Sequence, residues 1–507
     1  MSTKNNYCTP TIKLLLAAVC SFALFAHALV AQPTIYPVPA GLSPSPDYEV
    51  FVNGQKVFVY ASPIPAAFCS FDINGPVQVI IKANRDLKWV DVRPRTANIQ
   101  PLFKDSTIVL NLTKPTQLSI EVNGSLRAPL FLFANTPEAG KPKKNDPNVI
   151  YFEAGKIHYP GIINVTSNQT VYVEGGAVVV GVVKAKGANN IKIMGRGVFN
   201  GTYNNRFNDS VVKAAANDTA LLRTMTGTYH HFLEFTDCNN VTIDGITLAN
   251  STTWQVVPIH SNNVNINNIK IVSDQASDDG IDVVRSTNVH IQHSFIRTKD
   301  DCVVIKAHLK YEPSDGVDNV LVEHCTFWNA LWGNAIEIGF ELNAAEVKNI
   351  IFRDIDVIHV EAGAVISIHN AGKARVKNII FENIRIEDAR QKLFDFAIFR
   401  SQYSEDGTRD EKERRRLYLN GAWDGVLHVP ASERAAHMPY RGHISDVLLK
   451  DISITDGLFP YSIFYGADEQ HQVKNITIQN LQVHGKKITK LSDAKFYMEN
   501  TGNVVLK

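Results

Sequence analysis

One sequence motif recurs from about Asn190 to the C-terminus: an Asn or Asp, then alternating apolar residues, then a second short apolar segment. Successive copies mostly start about 23 to 31 residues apart, which is a solenoid spacing. The longer gap between Asn190 and Asn240 is expected to hold two turns. The copies begin at Asn189, Asn239, Asn262, Thr287, Asp318, Lys348, Lys377, Ser445 and Lys474.

The chemistry of the repeat predicts β-strands rather than helices. Val, Ile, Leu and Phe alternate with polar residues, and no useful helical period competes with that alternation. One copy cannot close a core alone, so stacked copies must bury a continuous apolar column, as in a right-handed parallel β-helix. The recurring Asn suits a turn, where its side chain can stack on the Asn of the next coil. A leucine-rich horseshoe is the alternative, but its Leu-x-x-Leu-x-Leu pattern is absent.

Two regions interrupt this repeat. Residues 32–135 hold short alternating segments between Pro, Gly and Asn, which predicts an N-terminal β-sandwich. Residues 136–148 are rich in Pro, Gly and Lys and are interpreted as a linker to a β-helix domain at 149–507. The second interruption, at about 390–443, contains the charged run DEKERRR. It is expected to be a solvated insertion on the solenoid wall, or else to shape one end of a groove.

The first residues have the order of a secretory signal peptide. Lys13 precedes an apolar run from Leu14 to Ala31, and small residues close the run between Ala28 and Ala31. We therefore expect residues 1–31 to be removed and the protein to be secreted or periplasmic. A membrane anchor is the alternative, because the run approaches spanning length. No later stretch is apolar enough to span a bilayer.

The charge balance excludes some partners. Lys and Arg number 51 against 50 Asp and Glu, a formal net charge of +1, so no global field gathers nucleic acid or an anionic membrane. A neutral or locally recognised substrate fits better, and a monomer is expected. Once the leader is removed, the remaining cysteines lack a CxxC spacing, so neither a metal nor another cofactor is expected. Cys69, Cys238, Cys302 and Cys325 could form one or two disulfides in an exported chain, but burial as a small hydrophobe is the expected role of the three that lie in the repeat, Cys238, Cys302 and Cys325.

Four aspartates fall in register on neighbouring coils. Aligning SDDGIDV (277–283) with KDDCVVI (299–305) puts Asp278 over Asp300 and Asp279 over Asp301. Adjacent strands lie about 4.8 Å apart, so four carboxylates are expected in one small outward patch. Trp254 falls in the same column one coil earlier, and WGNAIEI places Asn334 one coil later.

Unpaired carboxylates this close raise the pKa of at least one of them. A general acid held protonated beside ionised bases is what glycoside hydrolysis requires, so the cluster indicates a catalytic site. A calcium site is the second functional interpretation, because carboxylates supply hard oxygen ligands. The structural alternative is that the aspartates only terminate turns.

The motifs SDDGID and KDDCVVIK, with the offset from Asp279 to Asp300, resemble those of the polygalacturonases, glycoside hydrolase family 28. Two departures stand out. That family has Gly-His-Gly where this chain has Gly333-Asn334-Ala335, and Arg-x-Lys where this chain has Ser367-Ile368-His369. Because those basic residues serve the uronate carboxylate, the departures speak against polygalacturonate as the substrate.

A second resemblance is to the dextranase and isopullulanase group, family 49, which shares the aspartates and joins a β-sandwich to a β-helix. It covers both predicted domains, with similar phrases at 128–138, 149–158 and 334–340. It implies that Asp300 is the general acid, that Asp279 and Asp301 activate water, and that the anomeric centre is inverted. The expected substrate-binding residues are Trp254, Asp278, Arg285, Lys306, Trp332, Asn334, Glu337 and His369.

The resemblance therefore implies hydrolysis of an α-linked polysaccharide, with an α-glucan such as dextran or pullulan favoured over pectin. A polysaccharide lyase is the competing enzyme class. In it, calcium on the aspartates would acidify a uronate, and Arg285 or Lys306 would act as the base. A solenoid that binds glycans without cleaving them is the non-enzymatic alternative.

Overall fold

The computed structural model describes residues 32–62, 66–201, 231–251, 253–308, 316–408, 410 and 426–507. The leader expected at residues 1–31 and most of the charged run at 410–416 lie outside the described residues. Among the helices of the described part, none is long and apolar enough to cross a membrane.

The first described residues form eleven strands in two sheets. One sheet has the order β1-β5-β11-β10-β7, with β4 also paired to β5, and the other has the order β3-β2-β6-β9-β8. Alternating side chains of both sheets meet in a common apolar core, as in a β-sandwich. The strands are β1 Thr34–Ile35, β2 Tyr48–Val52, β3 Gln55–Val57, β4 Tyr60–Ala61, β5 Ala67–Asp72, β6 Val77–Ala83, β7 Val90–Arg93, β8 Leu102–Lys104, β9 Thr107–Leu112, β10 Thr116–Val122 and β11 Leu130–Asn135.

A parallel solenoid follows. Its strands up to the aspartates are β12 Val149–Phe152, β13 Ile157–Val165, β14 Thr170–Val173, β15 Val178–Lys186, β16 Asn189–Gly195, β17 Val198–Asn200, β18 Leu233–Thr236, β19 Asn239–Asp244, β20 Thr247–Ala249, β21 Val256–Ile259, β22 Asn262–Asn267 and β23 Lys270–Val272. The central strands are β24 Ile281–Val284, β25 Thr287–Gln292, β26 Phe295–Thr298, β27 Val303–Ala307, β28 Val317–Glu323, β29 Thr326–Asn329, β30 Ile336–Leu342, β31 Glu346–Val360, β32 Ala364–Asn370, β33 Arg375–Ile386 and β34 Lys392–Ile398.

The remaining strands are β35 Arg400–Ser401, β36 Val426–Leu427, β37 His443–Ile454, β38 Tyr461–Tyr465, β39 Val473–Gln479, β40 Gln482–Val483, β41 Lys486–Lys487, β42 Phe496–Glu499 and β43 Thr501–Leu506. One α-helix, Arg434–His437, and the 3-10 segments Arg95–Ala97, Met438–Tyr440 and Leu491–Asp493 are the named helical elements of the described residues. The described chain is thus nearly all β, as the repeat predicts.

The solenoid strands stack on three faces. Face A contains β16, β19, β22, β25 and β28, face B contains β17, β20, β23, β26 and β29, and face C contains β18, β21, β24, β27, β30, β32 and β34. Neighbouring coils pair in parallel on each face. Asn189 pairs directly with Asn239. The expectation of two turns between Asn190 and Asn240 is therefore wrong, because β16 and β19 lie on adjacent coils.

Asparagines form ladders where face A begins. Asn240 Nδ2 donates to Asn190 Oδ1 at 2.7 Å, and Asn319 Nδ2 donates to Asn288 Oδ1 at 2.6 Å. The backbone φ is +58° at Asn190 and +55° at Asn288, a left-handed conformation that Asn tolerates better than most residues. This explains why the repeat carries Asn at that turn.

The sandwich packs on face B. Its Phe131 and Phe133 meet Phe295 and Trp328 of the solenoid, with Phe131 and Trp328 edge to face at a centroid distance of 5.7 Å. Because aromatic side chains bury large apolar areas, this contact joins the two domains firmly. Among the described residues, the aromatic contacts between the two domains lie on face B rather than on face C.

The second interruption begins later than expected. Strand β34 pairs in parallel with β32, so residues 392–398 belong to face C, and the departure from the repeat starts at Phe399 rather than near Arg390. Beyond it, β35 and β36 form a small antiparallel pair. Arg441 donates to the Phe399 carbonyl and pairs with Asp406, which ties this excursion to the wall.

The four cysteines of the described residues are buried and free. Burial raises the pKa of Cys302 and Cys325 to about 12. Their thiols are therefore neutral and pack as small apolar groups.

Candidate active site

The aspartates lie in the turns that lead into face C. Ile281 pairs with Val303, and Val303 pairs with Ile336. Asp279, Asp301 and Asn334 each precede one of these residues by two positions, so they stack on successive coils, as the sequence alignment predicts. Trp254 occupies the same position one coil before Asp279, because Val256 pairs with Ile281.

Glycines allow the coils of this column to approach closely. A Cβ on Gly280 would lie 2.4 Å from the Cys302 carbonyl oxygen. At Gly333, where φ is +63°, a Cβ would lie 2.5 Å from Oδ1 of Asp300. Both contacts are shorter than any side chain tolerates, so the site requires glycine at these two turns.

Asp278 does not face outward. It is fully buried, and its carboxylate accepts hydrogen bonds from the backbone N–H groups of Gln275, Lys299 and Asp300, each at 2.9 Å. Burial raises the pKa of Asp278 to about 6 against the effect of these donors. The expectations of a fourth carboxylate in the outward patch and of substrate contact by Asp278 are corrected here. Asp278 instead holds the turn that presents Asp300.

Asp300 is the half-buried member of the group. Burial, followed by the charges of Asp279 and Asp278, raises the pKa of Asp300 to about 8. Its carboxyl is therefore protonated at neutral pH, and its partial exposure leaves it open to a ligand. A protonated, accessible carboxyl is the state that a general acid needs.

Asp279 and Asp301 are more deeply buried than Asp300. Burial raises the pKa of Asp279, while Lys306, whose Nζ lies 3.2 Å from Oδ2, opposes the rise. Burial and the charges of Glu337 and Asp279 raise the pKa of Asp301. The Asn334 backbone N–H donates to Asp301 Oδ1 at 2.7 Å. The carboxyls form one coupled set, and Lys306 favours ionisation of Asp279 within it.

Lys306 lies at the centre of the site. Its Nζ is 3.6 Å from Asp282, 3.9 Å from Glu341 and 4.1 Å from the ring centroid of Trp254. Burial would lower the pKa of Lys306, but Asp279, Glu341 and Asp282 hold it well above its usual range. Lys306 is therefore a permanent cation, which speaks against its use as the base of a lyase.

A second charged network continues along face C. His369 Nδ1 lies 2.9 Å from Glu337, and His369 Nε2 lies 3.2 Å from Asp395. Burial would lower the pKa of His369, but these two carboxylates outweigh it and raise the pKa to about 10. Asn334 Nδ2 donates to Glu337 at 2.9 Å and so links this network to the aspartates. The network places Glu337, His369 and Asn334 beside the cluster.

Aromatic side chains flank the cluster. Trp254 stacks on His231 with the rings 5.1 Å apart and 11° from parallel. Tyr403, 44% exposed, lies 6.3 Å from Phe340 between ring centroids, and the charges of Glu341, Lys306 and Asp300 act on its hydroxyl. The excursion after β34 therefore reaches the site through Tyr403.

Two residues of the expected binding set stand apart from this core. Trp332 is 49% exposed, and Lys299 Nζ lies 4.6 Å above its ring centroid. Arg285 is buried in the turn after β24, at the end of that strand opposite Asp279. Trp332 keeps an open face at the rim, whereas the position of Arg285 argues against a direct role at the aspartates.

Four polar residues of the site were not anticipated from the sequence. Asp282 and Glu341 follow from strand alternation, because each faces outward on a face C strand near the aspartates. Asp395 lies two coils after Glu337, within the range that the sequence predicts to be an insertion. Tyr403 lies in an irregular excursion that no periodicity could place. Within the described ranges, no group of three or more His, Cys, Asp or Glu residues could hold a metal ion.

The fold is a right-handed parallel β-helix, and the site is a cluster of buried carboxyls in one column of its turns. Residues 150–395 match Glycosyl hydrolases family 28. Over 275 residues the chain is 24% identical to Polygalacturonase QRT2 of Arabidopsis thaliana, covering 53% of this chain and 54% of that relative. Over 214 residues it is 24% identical to Exopolygalacturonase B of Aspergillus niger, covering 40% of this chain and 45% of that relative. The chain thus spans about half the length of these curated relatives.

One solved structure is similar over both domains. Dex49A from Penicillium minioluteum superposes with a TM-score of 0.54 and 13% identity, covering 93% of this chain and 96% of that one. At that identity the likeness shows the fold alone. It establishes that a sandwich followed by a β-helix is a shared architecture.

Proposed function

We propose that this protein hydrolyses an α-linked polysaccharide with inversion at the anomeric carbon. The observation that carries the proposal is the half-buried Asp300, whose pKa is raised to about 8, beside the Lys306-supported Asp279. A protonated acid and an ionised carboxylate in one small cluster are the two groups that a single displacement needs.

In this mechanism the Asp300 proton moves to the glycosidic oxygen as the bond to the anomeric carbon breaks. Asp279, with Asp301 beside it orienting the water, takes one proton from a water molecule, whose oxygen forms the new bond to the anomeric carbon on the opposite face. Asp300 leaves the step ionised, and the base leaves it protonated, so exchange with solvent restores both. Asp278 keeps the Asp300 turn in place through its three backbone hydrogen bonds.

The charges around the cluster favour a neutral sugar. Glu337, Glu341 and Asp395 line the coils beside the aspartates, and the positive charges of Lys306 and His369 are already paired with carboxylates. A uronate placed here would meet more negative than positive charge. Together with the resemblance to the dextranase and isopullulanase group, this favours an α-glucan such as dextran or pullulan.

A pectic substrate is the second candidate. The match of residues 150–395 to family 28, and the description of two matched relatives as polygalacturonases, favour it. This alternative requires a uronate carboxylate to be held without the basic pair of that family. Lys299, beside the exposed Trp332, is the cation that could serve at the rim.

The deciding experiment is digestion of dextran, pullulan, other α-glucans, pectin and polygalacturonate by the intact protein. Reducing ends and new double bonds are measured side by side, with Asp300→Asn as the matched inactive control. We expect reducing ends from an α-glucan, no double bonds, and a first product of inverted anomeric configuration by NMR. Cleavage of polygalacturonate alone would select the pectic candidate. New double bonds, or no shortening of any glycan, would refute hydrolysis.

A further inference from the structure

Asp282 is a carboxyl in a position that neighbouring coils fill with valine. It lies on β24 between the core residues Ile281 and Val283, so it points away from the solenoid core. The residue paired with it on the next coil is Val304, and Val257 holds the position on the previous coil. Asp282 is nevertheless fully buried. Burying a carboxyl at a position where valine fits lowers the stability of the fold, so we expect this carboxyl to have a function.

Three carboxyls compete for one cation at this point. Lys306 Nζ lies 3.2 Å from Asp279, 3.6 Å from Asp282 and 3.9 Å from Glu341. If all three were ionised, two negative charges would remain uncompensated in a buried site. A buried group avoids such a cost by taking up a proton.

The hydrogen bonds indicate which carboxyl takes the proton. Neither oxygen of Asp282 accepts a hydrogen bond from any residue that the structure describes, whereas Asp279 accepts one from Lys306. Asp279 Oδ2 and Asp282 Oδ1 lie 3.2 Å and 3.6 Å from the same Lys306 Nζ, so the two carboxyls face one cation. Two carboxyls can share a hydrogen bond only when one of them is protonated. The poorly solvated Asp282 is the better proton holder, and Asp279 the better anion.

We propose that Asp282 is a positioning residue that carries a proton at neutral pH and donates it to Asp279. The bond keeps Asp279 ionised and fixes its orientation toward the water that it activates. This inference rests on the proposed hydrolytic function. The charged groups that act on Asp282 are Asp279, Lys306 and Asp301. Burial, followed by the charge of Asp279, raises the pKa of Asp282 well above its usual range, in agreement with this assignment.

Two variants separate donation from simple packing. Asp282→Asn keeps the shape and a donor toward Asp279 but cannot titrate. Asp282→Val takes the residue type of the neighbouring coils and removes the donor. We expect Asp282→Asn to keep most of the turnover, and Asp282→Val to lower kcat by about 10-fold or more, a part of what a general base contributes, with KM little changed. Both should fold, since an apolar residue that fits can replace a buried carboxyl.

The pH dependence of kcat gives the sign of the effect. A donor that stabilises ionised Asp279 lowers the pKa of that base, so losing it in Asp282→Val should move the acidic limb to higher pH. Asp282→Asn should leave that limb nearly in place. If Asp282 were instead ionised, both substitutions would remove a repulsion and move the limb to lower pH, which would overturn the proposal. Unshifted limbs in both variants would reduce Asp282 to a packing role and also overturn it.

A measurement without substrate keeps this test separate from the proposed function. The infrared difference spectrum of wild type minus Asp282→Asn at neutral pH should show one carbonyl band of a protonated carboxyl, contributed by Asp282. Asp300→Asn supplies the matched comparison, because the Asp300 carboxyl of the wild type is also protonated and should give a band of its own. Absence of the Asp282 band would refute proton holding even in an active enzyme. Its presence in a protein that cleaves no glycan would leave proton holding intact and refute the hydrolysis.

Discussion

Asp278 and Asp300 occupy equivalent turn positions on neighbouring coils, yet their surroundings give them different states. Asp278 is sealed beneath the turn and bonded to three backbone N–H groups. Asp300 keeps part of its surface open and has a higher pKa, about 8 against about 6. A repeated Asp-Asp pair is thus a repeated sequence without a repeated function.

Replacing Asp300 by Asn should abolish hydrolysis while leaving the fold intact. The amide keeps the shape of the carboxyl and removes the transferable proton, so kcat should fall by about 10² to 10⁴-fold. Turnover and melting temperature of both proteins test this. Asp318→Asn is the matched control, because Asp318 is a half-buried residue on face A, whereas the site lies at face C. Near-normal turnover in Asp300→Asn would refute the acid assignment.

The same variant should change how stability depends on pH. Asp300 has a folded pKa of about 8, whereas an unfolded aspartate titrates near about 3.9. Between these values the folded state binds more protons, so the free energy of unfolding falls as pH rises. Asn removes this loss. The melting temperature of Asp300→Asn relative to wild type should therefore rise between about pH 5 and about pH 8. A constant difference across that range would contradict the raised pKa.

At this scale the sequence could predict the column of aspartates but not their protonation. The offset between Asp279 and Asp301 follows from strand period and coil spacing alone. Turn geometry decides which carboxylate oxygens are buried and which backbone N–H groups donate to them, as Asp278 demonstrates. The period-two pattern places Asp282 on the outward side of β24, but that pattern predicts neither its burial nor its charged neighbours.

Among the elements, the asparagine ladder sets the turn into face A. Asn288 Nδ2 donates to Asn262 Oδ1 at 2.7 Å, and Asn288 Oδ1 accepts from Asn319 at 2.6 Å. Substitution by Gly removes these bonds but keeps the left-handed turn. Substitution by Ala loses both, and the left-handed φ of +55° costs a further ~1 kcal/mol or more.

We therefore expect the melting temperature to be highest for the wild type, lower for Asn288→Gly and lowest for Asn288→Ala. Thermal unfolding followed by far-ultraviolet circular dichroism measures the order. An alanine variant as stable as the glycine variant would show that backbone conformation does not limit this turn.

The element pattern was predictable wherever the repeat is regular. Period-two alternation and the recurring Asn define face A from Asn189 onward. The predicted number and extent of the coils were wrong where the length of a coil departs from the regular repeat. The sequence separation of Asn189 and Asn239 suggests two coils although the two residues pair directly, and β34 pairs in register with β32 although it lies in the range predicted to be an insertion.

For the whole molecule, a buried ionic contact joins the sandwich to the solenoid. Arg93 lies 2.6 Å from Glu387 of the solenoid and 3.3 Å from Glu121 of the sandwich, with all three side chains at most 9% exposed. Arg93→Met would leave two buried carboxylates without this cation, a change that costs about 3 to 5 kcal/mol.

The matched control is Arg95→Ala, since Arg95 bonds Asp456 at 2.6 Å but is half exposed. An exposed ion pair contributes only about 0 to 1 kcal/mol, so this variant should melt close to wild type. Calorimetry of both variants, with limited proteolysis at residues 136–148, checks the difference. Equal melting temperatures for the two variants would show that Arg93 does not secure the domain contact.

The packing of aromatic residues on face B also determines which segment of this protein can be produced as a recombinant fragment. The segment shared with family 28 ends at residue 395, yet coils continue to Leu506, and Phe131 covers Phe295 and Trp328. An expression fragment trimmed to the shared segment would display an aromatic stripe and an unpaired sheet edge, both of which promote aggregation. The segment that matches family 28 is therefore shorter than the segment that buries the aromatic stripe. The boundaries of a recombinant fragment should follow the packing.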